Sequence, residues 1–134
     1  MTVVDASILA AFLLKEEGWK KLARYLELAI SVDFVAKEVA NAIWKAHLRG
    51  MLSKENAEKA YALLKSMLER NLELADELDY LDRAVEIVLE QGITVYDALY
   101  LALAERRSLP LATLDIKQKQ AAKALGVEVI PLEE

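Results

Sequence analysis

The sequence predicts an α/β fold, with a parallel sheet of five strands covered by helices on both faces. Two observations predict it. Short apolar runs alternate with segments of helical periodicity along the whole chain, and such alternation joins parallel strands through crossover helices. The first run, Thr2-Val3-Val4 stopping at Asp5, is apolar on both faces, as a central parallel strand must be. The 134 residues fit one domain, 1–134. A chain of this size buries about two-thirds of its unfolded surface and needs no staples.

The elements follow in order. After the first strand, Ser7 to Leu14 reads as a short helix ending at Lys15-Glu16-Glu17-Gly18. Trp19, Leu22, Ala23, Leu26 and Ala29 or Ile30 have helical spacing, which predicts a helix over 19–30. Residues 30–32 form a second strand. Asp33 is the expected N-cap of a helix with the stripe Val35, Val39, Ala42 or Ile43, Ala46, closed at Gly50. Ser53 caps the next helix, which runs to about Arg70 with Ala57, Ala60, Tyr61, Leu64 and Leu68 inward.

Asn71-Leu72-Glu73-Leu74 alternates and is the third strand. Asp76 or Glu77 opens a helix that places Leu78, Leu81, Val85 and Val88 inside and ends at Gly92. Its acidic first turn complements the helix dipole. Thr94 opens a helix that is apolar almost all round through Ala104, so it belongs in the core or at a subunit contact. Leu109 to Leu114 is the fourth strand, Ile116 to Leu125 the last helix, and Val127 to Ile130 the fifth strand.

Composition removes several function classes. There is no cysteine and one histidine, which excludes disulfides, thiolate metal sites and any site needing two histidines. Four glycines and two prolines leave little room for Gly-rich phosphate loops. No run of about 18 apolar residues and no basic leader is present, so neither a membrane span nor a signal peptide is expected, and the cytosol is the default location. The net charge of −5 argues against a generic nucleic-acid binder. It leaves open an enzyme that holds phosphates through cations, because the ions reverse the local field.

Four carboxylates stand at strand–helix junctions: Asp5, Glu38, Asp97 and Asp115. Each has a bland reading. Asp5 and Asp115 are plausible helix caps. Thr94-Val95-Tyr96-Asp97 resembles a capping box, and Glu38 could be a solvated helix residue. Asp97 resists that reading, since a carboxylate in an apolar helix is costly unless paired or metal-bound. A gathered site explains all four together. Carboxylates in one pocket repel by roughly 4 kcal/mol per close pair at an effective dielectric near 20. Such a cluster needs cations or raised pKa values. An all-oxygen ligand set suits Mg²⁺ or Mn²⁺, and the matching chemistry is phosphodiester hydrolysis. Ser7 and Thr113 are candidates for orienting the carboxylates, with local capping as the alternative.

The order and context of these acids resemble the PIN domain, in particular the small toxin ribonucleases of the VapC type. The matching stretches are Val4-Asp5-Ala6-Ser7, Glu38-Val39-Ala40-Asn41-Ala42, Thr94 to Ala102 around Asp97, and Leu111-Ala112-Thr113-Leu114-Asp115. Val95 stands where the family often has proline. The resemblance implies a three-layer α/β/α sandwich with a central first strand and Mg²⁺- or Mn²⁺-dependent endonucleolytic cleavage of RNA. It also implies homodimers and inhibition by a cognate antitoxin. Carried over residue by residue, it makes Asp5, Glu38, Asp97 and Asp115 the acidic site. Asp5 and Asp97 are the most direct metal ligands, while Glu38 and Asp115 act through water, a second ion or the attacking water.

Lys15, Lys45, Arg49, Lys117 and Lys119 are candidates for the RNA backbone, each more often a solvated residue. His47 reads as a surface residue rather than a base. Trp44 and Tyr96 could stack on bases, with packing the commoner role. The Ala98–Ala104 helix and the helix around Tyr61 and Leu64 are candidates for dimer burial. Two other classes compete: a PIN-like module that binds a partner and cleaves nothing, and a phosphotransfer protein with a nucleophilic Asp5. The second lacks the further aspartate two residues on, where Ser7 stands, and lacks the acidic pair of a receiver.

Overall fold

The computed structural model describes residues 1–132. Four strands form one parallel sheet in the order β3-β2-β1-β4: β1 Thr2–Val4, β2 Ala29–Val32, β3 Leu72–Ala75 and β4 Leu111–Ala112. Val3 pairs with Ile30 on one side and Leu111 on the other, so β1 is central. The expected fifth strand reduces to a single bridge between Leu111 and Val129. Two hydrogen bonds hold it, the Leu111 N–H to the Glu128 carbonyl and the Ile130 N–H to the Leu111 carbonyl. β4 is only two residues long, so it offers the last segment one rung and no ladder.

The helices are α1 Ala6–Leu13, α2 Ala23–Leu26, α3 Val35–Leu48, α4 Lys54–Arg70, α5 Leu81–Gln91, α6 Val95–Arg107 and α7 Ile116–Leu125. α1, α3 and α4 pack together, with α1 against β1 and α4 against β3. α6 packs on β1, β2 and β4 and carries α5 and α7 beside it. Gly92 and Gly126 end α5 and α7 in the left-handed conformation, at φ 69° and 76°, which glycine adopts without a Cβ penalty. Among the described residues no single helix is long and apolar enough to cross a membrane.

Several local expectations are corrected. The helix expected over 19–30 is a 3₁₀ turn at Trp19–Leu22 followed by the one-turn α2, and Ala29 already belongs to β2. All four β2 residues are buried between β1 and β3, and that two-sided pairing overrides local helical spacing. Asp33 does not cap α3, where Phe34 takes the N-cap position without a side-chain bond. Its carboxylate instead accepts the Glu77 N–H at 3.2 Å, and its amide donates to Ala75, tying the ends of β2 and β3 together.

The helix expected from Asp76 begins as a separate 3₁₀ turn at Glu77–Asp79, and α5 starts at Leu81. That break shifts the phase. Tyr80, Ala84 and Ile87 are buried, while Leu78 and Val85 face solvent. In α4 the buried residues are Ala60, Leu64 and Met67, and Tyr61 is exposed. Ala98 to Ala104 of α6 is buried within this chain, which accounts for its all-round apolarity and removes it as a dimer surface.

Candidate active site

The chain runs from β1 through β2 to β3 in one direction, and β4 lies on the opposite side of β1. The order of strands therefore switches between β1 and β4, where a parallel sheet opens a crevice outside its strand ends. Asp5 follows β1 at that point, and Thr113 and Asp115 follow β4.

Asp5 is 4% exposed and is the N-cap of α1. One carboxylate oxygen accepts from the Ser7 amide at 3.1 Å, the Ser7 hydroxyl at 2.5 Å and the Ile8 amide at 3.4 Å. The other accepts from the Thr113 hydroxyl, which follows β4. The Leu114 amide donates to Ser7 Oγ at 2.9 Å and the Asp115 amide to Thr113 Oγ1 at 3.1 Å. Ser7 and Thr113 thus tie the loop after β4 to the end of β1. Burial pushes the Asp5 carboxyl above its usual range, against the hydrogen bonds from Ser7, Thr113 and the α1 amides.

Asp115 caps α7 and accepts from the Lys117 and Gln118 amides at 2.8 and 3.3 Å. Capping therefore describes the local geometry of both Asp5 and Asp115. It does not describe Asp97. Thr94 is the cap of α6, and the Asp97 amide donates to its hydroxyl at 3.3 Å. The Asp97 carboxyl is raised by burial and then by the charge of Asp115, while Thr94 and Lys117 pull it down. Glu38, in the first turn of α3, accepts the Tyr100 hydroxyl at 2.7 Å. Its carboxyl is raised by burial first, then by Asp97, Asp5 and Asp115, with Tyr100 opposing. Four acids from four segments thus share one electrostatic field at the carboxyl end of β1.

Among the described residues, no three His, Cys, Asp or Glu side chains lie close enough together to hold a metal ion as they stand. In this arrangement Asp5 is held by Ser7 and Thr113, and Glu38 by Tyr100. The donor set still fits a hard divalent cation in its chemistry. It is all oxygen, and the like-charge repulsion that adds to burial in raising Glu38 and Asp97 is what a cation relieves.

The other sequence candidates separate clearly. Lys117 is near enough to Asp97 to act on its charge. Lys119 lines a crevice with Lys21 and Leu114, and Lys15 lies over the Trp19 ring. Lys45 and Arg49 stand at the end of α3 remote from Glu38. His47 shares that end, its Nδ1 bonded to the Leu52 carbonyl at 2.8 Å, and Trp44 lines a surface groove with it. Tyr96 stacks on Phe34.

Two side-chain contacts escaped the sequence reading. Tyr100 was legible only as core, yet its hydroxyl supports Glu38. Gln118 is 1% exposed and donates from Nε2 to the Asp97 carbonyl at 3.1 Å, joining the start of α7 to the start of α6. Its spacing of three from Asp115 was the available signal.

A PIN domain model matches residues 2–124. The chain is 36% identical over 134 residues to Ribonuclease VapC3 of Pyrobaculum aerophilum, covering 96% of this chain and 98% of the relative. It is 31% identical over 129 residues to Exonuclease VapC9 of the same organism, covering 96% and 91%. The crystal structure of PAE2754 from Pyrobaculum aerophilum is similar at a TM-score of 0.71 and 26% identity, covering 90% of this chain and 78% of that one. With a family match across nearly its full length, the chain belongs to the PIN domain family, among whose members it resembles the VapC ribonucleases.

Proposed function

We propose that this protein is a VapC-type toxin ribonuclease that hydrolyses RNA phosphodiesters with Mg²⁺ or Mn²⁺ at Asp5, Glu38, Asp97 and Asp115. The observation that carries the proposal is the shared electrostatic field of these acids at the strand-order switch. A bound divalent cation supplies charge neutralisation for the phosphodiester and activation of a water. Asp5 and Asp97 would be its direct carboxylate donors, and Glu38 and Asp115 would hold or orient water. Ser7 and Thr113 fix the Asp5 carboxylate, and Tyr100 fixes Glu38. Lys117 stands beside the acids as a contact for the RNA backbone. The remaining parts of the reading follow from the resemblance: a cytosolic homodimer restrained by an antitoxin.

A second reading has an observation behind it. Asp5 and Asp115 serve as helix caps, as they would in a PIN-like module that binds a partner and cuts nothing. Incubation of RNA with Mg²⁺ or Mn²⁺ separates the two. Cleavage that stops with a chelator and falls by more than about 100-fold in Asp5→Asn and Asp97→Asn supports the ribonuclease, since even outer-shell partners of a metal are worth about 10–100-fold. Activity that persists in both variants, or without metal, rejects the site. Mapping the product ends distinguishes internal cuts from the end-trimming that the name of one relative describes.

A further inference from the structure

The stacked pair Phe34–Tyr96 has no part in the chemistry above. Phe34 stands one turn before Glu38, whose amide donates to the Phe34 carbonyl at 3.3 Å. Tyr96 immediately precedes Asp97 in α6. The pair therefore sits on the two helix starts that carry two of the acids. The rings lie 4.8 Å apart with 10° between their planes. Phe34 is half-buried and packs on the core, whereas Tyr96 is 51% exposed. Phe34 covers one face of the Tyr96 ring, and half of the Tyr96 residue surface remains in solvent.

We propose that Tyr96 is a base-stacking platform for single-stranded RNA, holding a nucleobase beside the phosphodiester that is cut. The proposal rests on the ribonuclease reading and names how that site grips its substrate. A chain of net charge −5 with four acids at its site gains little from the phosphate backbone. Stacking supplies affinity that needs no positive surface and tolerates any base, since each has a π face. Phe34 holds the tyrosine ring from behind, which reduces the ordering cost on binding. Lys117 lies near enough to act on the charge of Asp97, the residue after Tyr96.

The test uses short single-stranded RNA carrying 2-aminopurine at each position in turn, with the full chain and Mg²⁺. Stopped-flow fluorescence reports stacking before turnover, and steady-state kinetics follow on the same RNA. In the parent protein one position is quenched. Tyr96→Ala loses the quench and raises KM about 5- to 100-fold, the worth of one stacked base, while kcat changes by less than about threefold. Tyr96→Leu keeps an apolar contact on Phe34 and loses the π face, so it behaves like alanine even if alanine loosens the fold. Tyr96→Phe and Tyr96→Trp retain both quench and KM. An unchanged KM in Tyr96→Leu overturns the platform, as does a Tyr96→Phe variant that loses as much as leucine. So does an effect confined to binding a protein partner, which would make this a protein contact. If the parent neither binds nor cuts RNA, the ribonuclease reading itself has failed, a result distinct from all of these.

Discussion

Asp5 and Asp97 stand at the same end of the same sheet, and both carboxyls are raised by burial, yet they are held differently. Asp5 has both oxygens engaged, by Ser7, the α1 amides and a threonine that arrives from 108 residues away. Asp97 has a cap behind it, but its second perturber is the like charge of Asp115. The β1–β4 half is thus a cradle fixed by hydrogen bonds. In the α3–α6 half the Glu38 carboxyl is raised first by burial and then by three neighbouring acids, and is steadied by Tyr100. One half sets position, and the other supplies the unrelieved charge that draws a cation.

The largest effect outside the acids themselves is expected in the cradle. Thr113→Val keeps the volume and removes the donor to a buried carboxylate oxygen. It should lower RNA cleavage about 10- to 100-fold and cost about 1–3 kcal/mol in urea unfolding, the penalty of a buried group left unmade. A variant with parent-like activity and stability would mean that the two halves are alike.

The α3–α6 half predicts the opposite sign. A carboxyl raised in the folded state contributes stability below its unfolded pKa, near 3.8 for Asp97, and that contribution is lost as pH rises through the folded value. Without divalent cations, Asp97→Asn should therefore be the more stable protein at neutral pH, by about 1 kcal/mol or less for a screened pair. The advantage should vanish as pH falls below 3.8. Added Mg²⁺ or Mn²⁺ should raise the melting temperature of the parent more than that of the variant. Thermal melts from acid to neutral pH, with and without the cation, check both parts.

The smallest effect is expected at the joint between α6 and α7. Gln118 gives one hydrogen bond to Asp97 while its Oε1, among the described residues, is buried without a partner. Gln118→Leu loses the bond and removes the unsatisfied oxygen, two effects of similar size and opposite sign, so chemical denaturation should shift by less than about 1 kcal/mol. A loss above about 2 kcal/mol would show that this joint belongs with the rigid half.

The sheet and the location of the acids were legible because they depend on long apolar periods and on junctions. The α3 stripe Val35, Val39, Ile43 and Ala46 is buried as its spacing predicts, and the apolarity of α6 marked it for burial in the core or at a subunit contact, of which the core is found. What was not legible depended on partners distant in sequence. Ala29 joins a strand because β1 and β3 flank it, and Asp33 leaves its cap to bind Glu77. Leu78 was misplaced because one extra turn changed the helical phase. Within the site, residue identity was readable but support was not. Nothing local to Tyr100 announces that it faces Glu38 across 62 residues.

The Thr113–Asp5 contact also bears on how the molecule is made. It joins residues 108 apart, and β1 gains its β4 neighbour only when Leu111 and Ala112 exist. Synthesis is slow beside local folding, at about 5–20 residues per second, and long-range parallel pairing is slow in itself. On the ribosome, α1 through α5 are complete while Asp5 still lacks the hydroxyl that fixes its second oxygen. The acidic end therefore matures late, and a nascent chain carries its first acid for most of its synthesis with only one of its two carboxylate oxygens held, by Ser7 and the α1 amides.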